Sequence, residues 1–329
     1  MQIEPLYSVG TGAGIKRSLT AVVIDNVDNS LLDYLAKKGV AVDYVPGMNR
    51  DELIRKIGAY DMLVGRSRLP IDAQIIDAGK RLRIIGRAGV GIENIDTAYA
   101  GTRGIRVVNA PGAATQSVAE LVVGLMVSSS RGTFSDTSRI KGGRYRKDLG
   151  IELAGKTIGI IGFGHIGTRV AQLCSAIGMD VIVNDIVDMH DKAQRMGMRF
   201  LDKTRLYDES DVISLNLSME GNRGPVIDAA AIDLMKEGAI VINTARAAAV
   251  DMKSIHDGLT SGKVGFYATD VLWHEPPKDP LELDIVNNDK VIVTSHIGAN
   301  TKEAQARVAA LAANNIGDAI DELLIEAEE

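Results

Sequence analysis

Short apolar runs rich in β-branched residues alternate along the chain with longer stretches whose apolar positions recur every three or four residues. The short runs are typical of buried strands, and the longer spacing is typical of helices with one apolar face. Strands that are separated by helices run parallel, because each helix serves as the crossover between them. The pattern therefore predicts an α/β protein built on parallel sheets.

The predicted strands fall into two series. The first is TAVVID, VAVDYV, YDMLVG, LRIIG and IRVVN, with the helical patterns SLLDYLAKKG, NRDELIRKIG, PIDAQIIDAG and IENIDTAYAG between its members. Several of these patterns end in glycine, as helix C-termini commonly do. The second series begins at Leu153 and comprises KTIGIIGFG, MDVIVND, DVISLNL, AIVINT, GFYATDVL and KVIVTSH. Two series predict two doubly wound domains.

Two further helices are predicted outside these series. The segment AATQSVAELVVGLMVSSSRG lies between the series, and its apolar positions predict a long buried helix. The last segment, NTKEAQARVAALAANNIGDAIDELLIEAEE, is helical by pattern and ends in an acidic tail. No strand precedes the glycines of Gly10–Gly14, so we interpret them as part of a flexible leader. The first residues also lack the regions of a signal peptide.

Composition and charge narrow the class of protein. The 329 residues suggest two domains, at about 150 residues each. The net charge of −6 argues against a general binder of nucleic acids or anionic membranes. Cys174 is the single cysteine, which excludes an intrachain disulfide and predicts a reducing, cytoplasmic location. No stretch is apolar over a bilayer-spanning length, and no residues at metal-ligand spacing indicate a bound metal.

The strongest local signal is a glycine motif formed by Gly162, Gly164 and Gly167. The apolar strand TIGII precedes it and the helical pattern TRVAQLCSAIG follows it, which is the setting of a dinucleotide-binding turn. The next strand ends in Asp185, whose carboxylate can accept hydrogen bonds from a ribose and would repel a 2′-phosphate. The motif therefore predicts an NAD site, and the structural alternative is a glycine turn in another kind of α/β protein.

Candidates for chemistry follow three strands of the second series: Arg246, Glu275 and His296. Catalytic groups of open α/β sheets gather at the carboxyl ends of strands, where all three are expected. These residue types fit hydride transfer to or from a 2-hydroxy acid. Removing the hydride from the carbon of such an acid requires a base, such as histidine, that takes the hydroxyl proton. A carboxylate would orient that ring, and a guanidinium would bind the substrate carboxylate.

Each candidate taken singly also has a structural interpretation. The histidine could serve only the fold, the arginine could be a solvated charge, and Glu275 precedes two prolines and could be a turn residue. His274 is a competing candidate because it adjoins Glu275, whereas the remaining histidines have no partner in the pattern; these are His165, His190 and His256.

Ordered motifs give the chain a family resemblance. From about Ala21 to about Ala310 it resembles the D-isomer-specific 2-hydroxyacid dehydrogenases, and the segments RAGVGIENID and HIGANTKEAQ favour the phosphoglycerate dehydrogenase branch. The motifs are GRSR at 65–68, GRAGVGIENID at 86–96, NAPGAATQSVAE at 109–120, GFGHIG at 162–167, INTARAAAVD at 242–251, ATDVLWHEPP at 268–277 and SHIGANTKEAQAR at 295–307.

The resemblance implies a domain arrangement. A Rossmann NAD-binding domain of residues 110–300 would be inserted into a flavodoxin-like substrate-binding lid domain of residues 1–109 and 301–329, with the active site in a cleft that closes by a hinge. The helix at Thr115–Arg131 resembles the family's dimerisation arm, which implies a homodimer or homotetramer. The regulatory module of longer phosphoglycerate dehydrogenases is not expected, because the chain stops after the C-terminal helix.

The resemblance also assigns roles to individual residues. His296 would be the acid/base, Glu275 its partner and Arg246 the substrate clamp. The residues that match the family's NAD contacts are Val90, Gly162, Gly164, His165, Ile166, Gly167, Asp185, Leu217, Thr244, Ala245, Asp270, Gly298 and Ala299.

Substrate contacts are implied in the first series. The turn Gly89-Val90-Gly91 would present N–H groups to the substrate carboxylate, while Arg66, Ser67 and Arg68 match positions that face a substrate phosphate. The implied reaction is the NAD-dependent oxidation of 3-phosphoglycerate to 3-phosphohydroxypyruvate, at the entry to serine synthesis. The structural alternative for Arg66 and Arg68 is that they are exposed basic residues at a strand end.

Departures from the family pattern leave other functions open. Ala114 replaces a usual Asn, Ala247 a usual Gly and Tyr145 a common Trp, and LNLS at 215–218 replaces His-x-Pro. These changes touch the substrate and cofactor cleft, so they put the exact acid in doubt. A reductase of glyoxylate, hydroxypyruvate or another D-2-keto acid is the enzymatic alternative, and a non-catalytic NAD sensor similar to the corepressors of this fold is a second. Formate dehydrogenase is disfavoured because that relative pairs its histidine with Gln.

Overall fold

The structure is a computed structural model that describes residues 18–219 and 224–326. Contacts between Cα atoms divide the chain into two compact units, Met1–Pro111 with Val308–Glu329 and Gly112–Arg307. The predicted boundaries lie at 109/110 and 300/301. Gly10–Gly14 lies outside the described residues.

The first unit contains a five-stranded parallel sheet in the order β2-β1-β3-β4-β5. This is the flavodoxin-like strand order, and it confirms the predicted fold. All five predicted strands are present, as β1 Thr20–Val23, β2 Ala41–Tyr44, β3 Met62–Gly65, β4 Ile84–Arg87 and β5 Arg106–Val108.

The helices of this unit are α1 Asn29–Lys37, α2 Arg50–Lys56, α3 Ala73–Ala78 and α4 Thr97–Thr102, with a 3₁₀ turn at Ile57–Ala59. The predicted start of the last helix, at Ile92, is wrong. Ile95 instead forms a parallel bridge with Ile71, and the Asp96 carboxylate then caps α4 by accepting the Tyr99 N–H. The backbone of this segment is therefore committed to pairing before the helix begins.

The C-terminal helix α13, Lys302–Glu326, supplies part of the first unit's core. Ile316 and Ile320 are fully buried in a cluster with residues of β1, β3 and β4. A Cβ at Gly86 would come within 2.6 Å of Ile316 Cδ1, so a larger residue on the strand would force the Ile316 side chain to shift.

The second unit contains a seven-stranded parallel sheet in the order β12-β11-β10-β9-β6-β7-β8. The chain turns from one side of the sheet to the other between β6 and β9, as in a Rossmann domain. Six strands match predictions, whereas β8 has two residues and was not predicted from its pattern. The strands are β6 Thr157–Ile161, β7 Asp180–Asn184, β8 Arg199–Phe200, β9 Val212–Leu215, β10 Ala239–Asn243, β11 Val264–Thr269 and β12 Val291–Val293.

The long helix between the two predicted series is α5, Thr115–Arg131, and it is largely buried as expected. It ends at Gly132, which has a left-handed φ of 58°, and the unpredicted helix α6 starts directly after it at Thr133–Lys141. The remaining helices are α7 His165–Ile177, α8 His190–Arg195, α9 Lys203–Glu209, α10 Ala229–Leu234, α11 Met252–Ser261 and α12 Pro280–Val286, with a 3₁₀ turn at Ala247–Ala249.

Within residues 18–219 and 224–326, no helix has the length and hydropathy needed to cross a membrane. The same residues contain no group of three or more His, Cys, Asp or Glu side chains that could hold a metal ion.

Candidate active site

The glycine motif forms the turn from β6 to α7, and the space around the Cα atom differs among its three glycines. Gly162 has a φ of 94°, which favours glycine, and a Cβ there would lie 2.5 Å from the Asn216 carbonyl oxygen. A Cβ at Gly167 would collide with the Gly162 carbonyl oxygen, so the helix could not pack against the turn. At Gly164, by contrast, a Cβ would meet no described atom within 4 Å. The protein itself does not require this glycine, but a ligand that approaches the backbone would.

The N-terminus of α7 opens at this turn. Gly164 caps the helix without a side-chain hydrogen bond, so the first N–H groups of α7 are left for an anion. Of the predicted cofactor contacts on this helix, His165 is exposed and Ile166 is half-buried.

Asp185 follows β7 and is tied to the same turn. Its carboxylate accepts the Phe163 N–H at 2.6 Å and the Val187 N–H at 3.1 Å. These bonds fix the carboxylate at the end of the strand next to the glycine motif, where its remaining lone pairs suit the hydroxyl groups of a ribose.

Lys192 of α8 also secures this turn, although sequence reasoning did not select it. Its Nζ donates to the Phe163 carbonyl oxygen at 2.8 Å and to Thr168 Oγ1 at 2.6 Å, and it lies 4.4 Å from the centre of the Phe163 ring. Only the spacing from the motif could have pointed to it, because a lysine in a short helix carries no signal of its own.

The next predicted contacts follow β9 and β10. Leu217 is half-buried, and Ala245 is buried with its N–H bonded to Asn243 Oδ1 at 3.0 Å. Thr244 Oγ1 is buried and has no hydrogen-bond partner among the described residues. Since buried hydroxyl groups are normally paired, this oxygen indicates a place for a polar group of a ligand.

Arg246 is positioned by the same asparagine. The Asn243 side chain donates to the Arg246 carbonyl oxygen at 2.9 Å, and the Arg246 guanidinium donates to the Ala245 carbonyl oxygen at 2.7 Å. The completely buried Asn243 at the end of β10 therefore sets the backbone from which the arginine extends.

Asp270 organises the loop that carries His296. Its carboxylate accepts Thr294 Oγ1 at 2.5 Å, the Ile297 N–H at 2.8 Å and the Gly298 N–H at 2.7 Å. His296 sits within this clamped loop at a φ of 55°, a conformation that is uncommon for residues other than glycine. Asp270 is 2% exposed, so we assign it a role in shaping the loop in addition to its predicted place among the cofactor contacts.

The two remaining predicted cofactor contacts of this loop, Gly298 and Ala299, are held by their carbonyl oxygens. Ser117 Oγ donates to the Gly298 oxygen at 2.6 Å, and Gln305 Nε2 donates to the Ala299 oxygen at 2.8 Å. Helices α5 and α13 thus both contribute to holding the loop.

His296 and Glu275 meet at the ends of the neighbouring strands β12 and β11. His296 Nδ1 lies 3.1 Å from Glu275 Oε1 and 3.3 Å from Oε2, and the two side chains are 54% and 48% exposed. A carboxylate at Nδ1 favours the tautomer with the proton on that nitrogen, which leaves Nε2 free to exchange a proton with a substrate. The pair is therefore built for acid/base chemistry and is open to a ligand.

His274, the competing candidate, takes a different partner. Its Nδ1 lies 2.8 Å from Glu282 Oε2 on α12. His190 and His256 contact exposed carboxylates of Asp188 and Asp257, as surface residues commonly do.

In the first unit, the two arginines after β3 differ. The Arg68 guanidinium donates to Asp25 Oδ1 at 2.6 Å and to the carbonyl oxygens of Ile24 and Met48 at 2.9 and 2.8 Å. The half-buried Arg66 guanidinium has no hydrogen-bond or ion-pair partner within the described residues, and Ser67 is exposed. Arg66 is therefore available to an anion, whereas Arg68 already serves the fold.

The turn Gly89-Val90-Gly91 follows β4. A Cβ at Gly89 would collide with the Arg87 guanidinium, and Asn109 Nδ2 holds the Val90 carbonyl oxygen at 2.5 Å. No described residue accepts a hydrogen bond from the Val90 or Gly91 N–H. Two free amides in one turn suit a carboxylate.

Known proteins similar to this chain belong to one family. The sequence profile of the family "D-isomer specific 2-hydroxyacid dehydrogenase, NAD binding domain" matches residues 123–298. The D-3-phosphoglycerate dehydrogenase of Archaeoglobus fulgidus is 38% identical over 300 residues, which cover 91% of this chain and 56% of that protein. The chain therefore spans only about half the length of that relative.

Two further comparisons involve proteins of similar length. The hydroxypyruvate reductase of Thermotoga maritima is 41% identical over 263 residues, which cover 79% of this chain and 85% of that protein. The crystal structure of a glyoxylate reductase from Paecilomyes thermophila superposes with a TM-score of 0.84 at 29% identity, over 92% of this chain and 95% of the other. The chain thus belongs to the D-isomer-specific 2-hydroxyacid dehydrogenases, and its second unit carries the NAD-binding domain of that family.

Proposed function

We propose that this protein is an NAD-dependent dehydrogenase that interconverts a D-2-hydroxy acid and the corresponding 2-keto acid. The observation that carries the proposal is the contact between His296 Nδ1 and the Glu275 carboxylate, 3.1 Å apart at the carboxyl edge of the sheet that also bears the glycine motif. An acid/base pair and a dinucleotide site on one sheet edge suit proton removal coupled to hydride transfer.

The residues at this edge fit NAD. Gly164 leaves the backbone accessible, Asp185 offers a carboxylate to the ribose, and the unpaired Thr244 hydroxyl lies at the end of β10. When bound, the nicotinamide ring would accept the hydride in oxidation and donate it in reduction. The carboxylate of Asp185 disfavours the 2′-phosphate of NADP.

The protein's own residues would divide the remaining work. In oxidation, His296 Nε2 takes the proton of the substrate hydroxyl while the hydride leaves the carbon that bears this hydroxyl. The carboxylate of Glu275 stabilises the imidazolium that forms, and Arg246 binds the substrate carboxylate and polarises the carbon–oxygen bond. In reduction the same groups act in reverse, with the imidazolium as the acid.

We infer 3-phosphoglycerate as the substrate, with 3-phosphohydroxypyruvate as the product at the entry to serine synthesis. The unpaired guanidinium of Arg66 supports a contact with the phosphate, and the free N–H groups of Val90 and Gly91 support a contact with the carboxylate. The names of several relatives support the same substrate.

Turnover with a panel of acids tests the function. The purified protein is mixed with NAD and 3-phosphoglycerate, D-lactate or D-glycerate, and with NADH and glyoxylate or hydroxypyruvate, while the nicotinamide absorbance is followed. We expect the highest kcat/KM with 3-phosphoglycerate, and His296→Ala should lower the rate roughly 10²- to 10⁴-fold. NAD binding without turnover of any acid would favour the sensor function instead.

A reductase of hydroxypyruvate or glyoxylate is the second candidate. Two observations favour it: Asp25 already engages Arg68, so one guanidinium of the two rather than both lacks an ion-pair partner among the described residues, and the relative from Thermotoga maritima is named for this activity. Arg66→Gln separates the candidates. It should lower kcat/KM for 3-phosphoglycerate at least tenfold and leave hydroxypyruvate nearly unaffected, whereas equal effects on both acids would refute the phosphate contact. Arg68→Gln is the matched control, and we expect it to lower stability rather than change substrate preference.

We also propose a cytoplasmic homodimer or homotetramer without nucleic-acid or membrane partners. Exposed apolar side chains on the α5–α6 segment, Val127, Phe134 and Ile140, support self-association through this arm. Light scattering during size-exclusion chromatography measures the assembly, and a monomer at micromolar concentration would contradict it.

A further inference from the structure

Glu282 is a fully buried carboxylate whose two oxygens serve a single residue. It lies on α12 with no exposed side-chain surface. Its Oε1 accepts the His274 N–H at 3.0 Å, and its Oε2 lies 2.8 Å from His274 Nδ1. Backbone and ring of His274 are thus both held by one side chain.

Such an arrangement is costly for the fold alone. Burying a carboxylate is unfavourable unless its hydrogen bonds are satisfied, and an apolar residue of similar volume commonly serves stability as well or better. The other buried residue of α12 is the apolar Ile285, one turn away. The carboxylate is therefore better explained by what it holds than by the packing of the helix.

What it holds is the residue next to Glu275. Among the described residues, the Glu275 carboxylate contacts only the His296 ring and, at 3.5 Å, the Leu272 N–H. The side chain is about half-exposed. Its direction therefore depends on its backbone, which directly follows the residue whose N–H and ring Glu282 binds.

We propose that Glu282 is a positioning residue for the acid/base pair: by holding His274 it aims the Glu275 carboxylate at His296. This inference rests on the proposed function only for its kinetic consequences. The contact between Glu275 and His296 exists without substrate, so its dependence on Glu282 can be observed directly.

Three variants test the idea by kinetics. Glu282→Leu fills the site without accepting a hydrogen bond, and we expect kcat to fall roughly 10- to 100-fold, as misplaced catalytic groups do, with little change in KM for NAD. Glu282→Gln keeps an oxygen that accepts the His274 N–H, and we expect it to retain kcat within about threefold. Asp284→Asn changes an exposed carboxylate on the same helix and should leave kcat unchanged.

A double-mutant cycle separates positioning from a general structural effect. If Glu282 acts through Glu275, Glu282→Leu should add almost nothing to the loss already caused by Glu275→Ala. Equal losses in the two backgrounds, or a folded Glu282→Leu protein with full kcat, would overturn the proposal. If Glu282→Leu does not fold, Glu282→Met takes its place in the cycle, because its flexible side chain matches the length of glutamate and offers His274 no strong hydrogen-bond acceptor.

Proton NMR supplies a readout that does not need turnover. The Nδ1 proton of His296, bonded to a carboxylate, should resonate far downfield in the wild-type protein and in Glu282→Gln. The resonance should disappear or move in Glu282→Leu and in Glu275→Ala. A wild-type protein that shows this resonance but oxidises no acid would refute the proposed function and leave the positioning role standing. A resonance that is unchanged in folded Glu282→Leu would refute the positioning role itself.

Discussion

Among single residues, the glycines of the motif show that a chain can carry glycine at two positions for two different reasons. Gly167 is required by the fold, because a Cβ would collide with the Gly162 carbonyl oxygen. Gly164 has open space in front of it. One glycine is therefore required by packing within the protein, and we expect the other to serve a ligand that approaches the backbone.

This distinction gives a prediction for two alanine variants. Gly167→Ala should lower the midpoint of thermal unfolding and the yield of folded protein, because helix and turn must move apart. Gly164→Ala should unfold like the wild-type protein but raise the Kd for NAD at least tenfold, because the added methyl group keeps the diphosphate from the backbone. Calorimetry and fluorescence titration with NAD measure the two effects. Tight NAD binding by Gly164→Ala would contradict the assignment of this turn.

At the scale of elements, α13 shows how a distant segment completes a sheet domain. Its residues Ile316 and Ile320 have no exposed surface and pack with apolar residues of the first unit's strands. Asn315 on the same helix donates to the Asn109 carbonyl oxygen at 2.7 Å, and Asn109 in turn holds the Val90 turn. The helix therefore contributes both apolar packing and the support of a predicted substrate contact.

Ile316→Ala should accordingly destabilise the protein by about 2–5 kcal/mol, the usual cost of truncating a large buried aliphatic side chain. Leu324→Ala is the matched control, since Leu324 lies on the same helix and is 41% exposed. It should cost less than about 1 kcal/mol. Urea unfolding followed by circular dichroism measures both values, and equal losses would show that α13 does not bury this face.

At the scale of the whole molecule, burial links stability to alkaline pH. Burial raises the pKa of the Cys174 thiol from 9.0 to about 12 and that of the Tyr267 phenol from 10.0 to about 12. Burial and the neighbouring Asp43 likewise raise the pKa of Tyr60 to about 12. In each case the neutral form is favoured in the folded state, and the unfolded chain releases its proton first.

The direction in which the free energy of unfolding changes with pH follows from the protons that these groups bind. Because the folded state binds more protons above about pH 9, the stabilisation from these groups is complete below that pH and is lost as the pH rises towards about 12. The free energy of unfolding, measured by urea between about pH 8 and about pH 11, should fall with pH. Cys174→Ala should make this slope shallower by up to the contribution of one proton. An unchanged slope would mean that the thiol is not buried in the folded protein.

Much of the fold could be predicted from the sequence. Strand and helix patterns are local, because the two periodicities and the glycine turns depend on neighbouring residues. That is why the five strands of the first unit and six strands of the second were found. Elements without a periodic signal were missed: β8 has two residues, α6 directly follows α5, and the segment before Asp96 pairs with Ile71 instead of joining α4.

The candidate site divides along the same line. Residue patterns were enough to predict that Arg246, Glu275 and His296 follow strands and that the glycine motif forms a turn. The folded arrangement was needed to see that Glu275, rather than the adjacent His274, meets His296. It also shows that Asp25 engages Arg68 and not the Arg66 side chain, and that Glu282 binds His274. Neighbouring residues share one local pattern, but their side chains point in different directions. Their partners come from strands and helices that only the order of the sheet brings together.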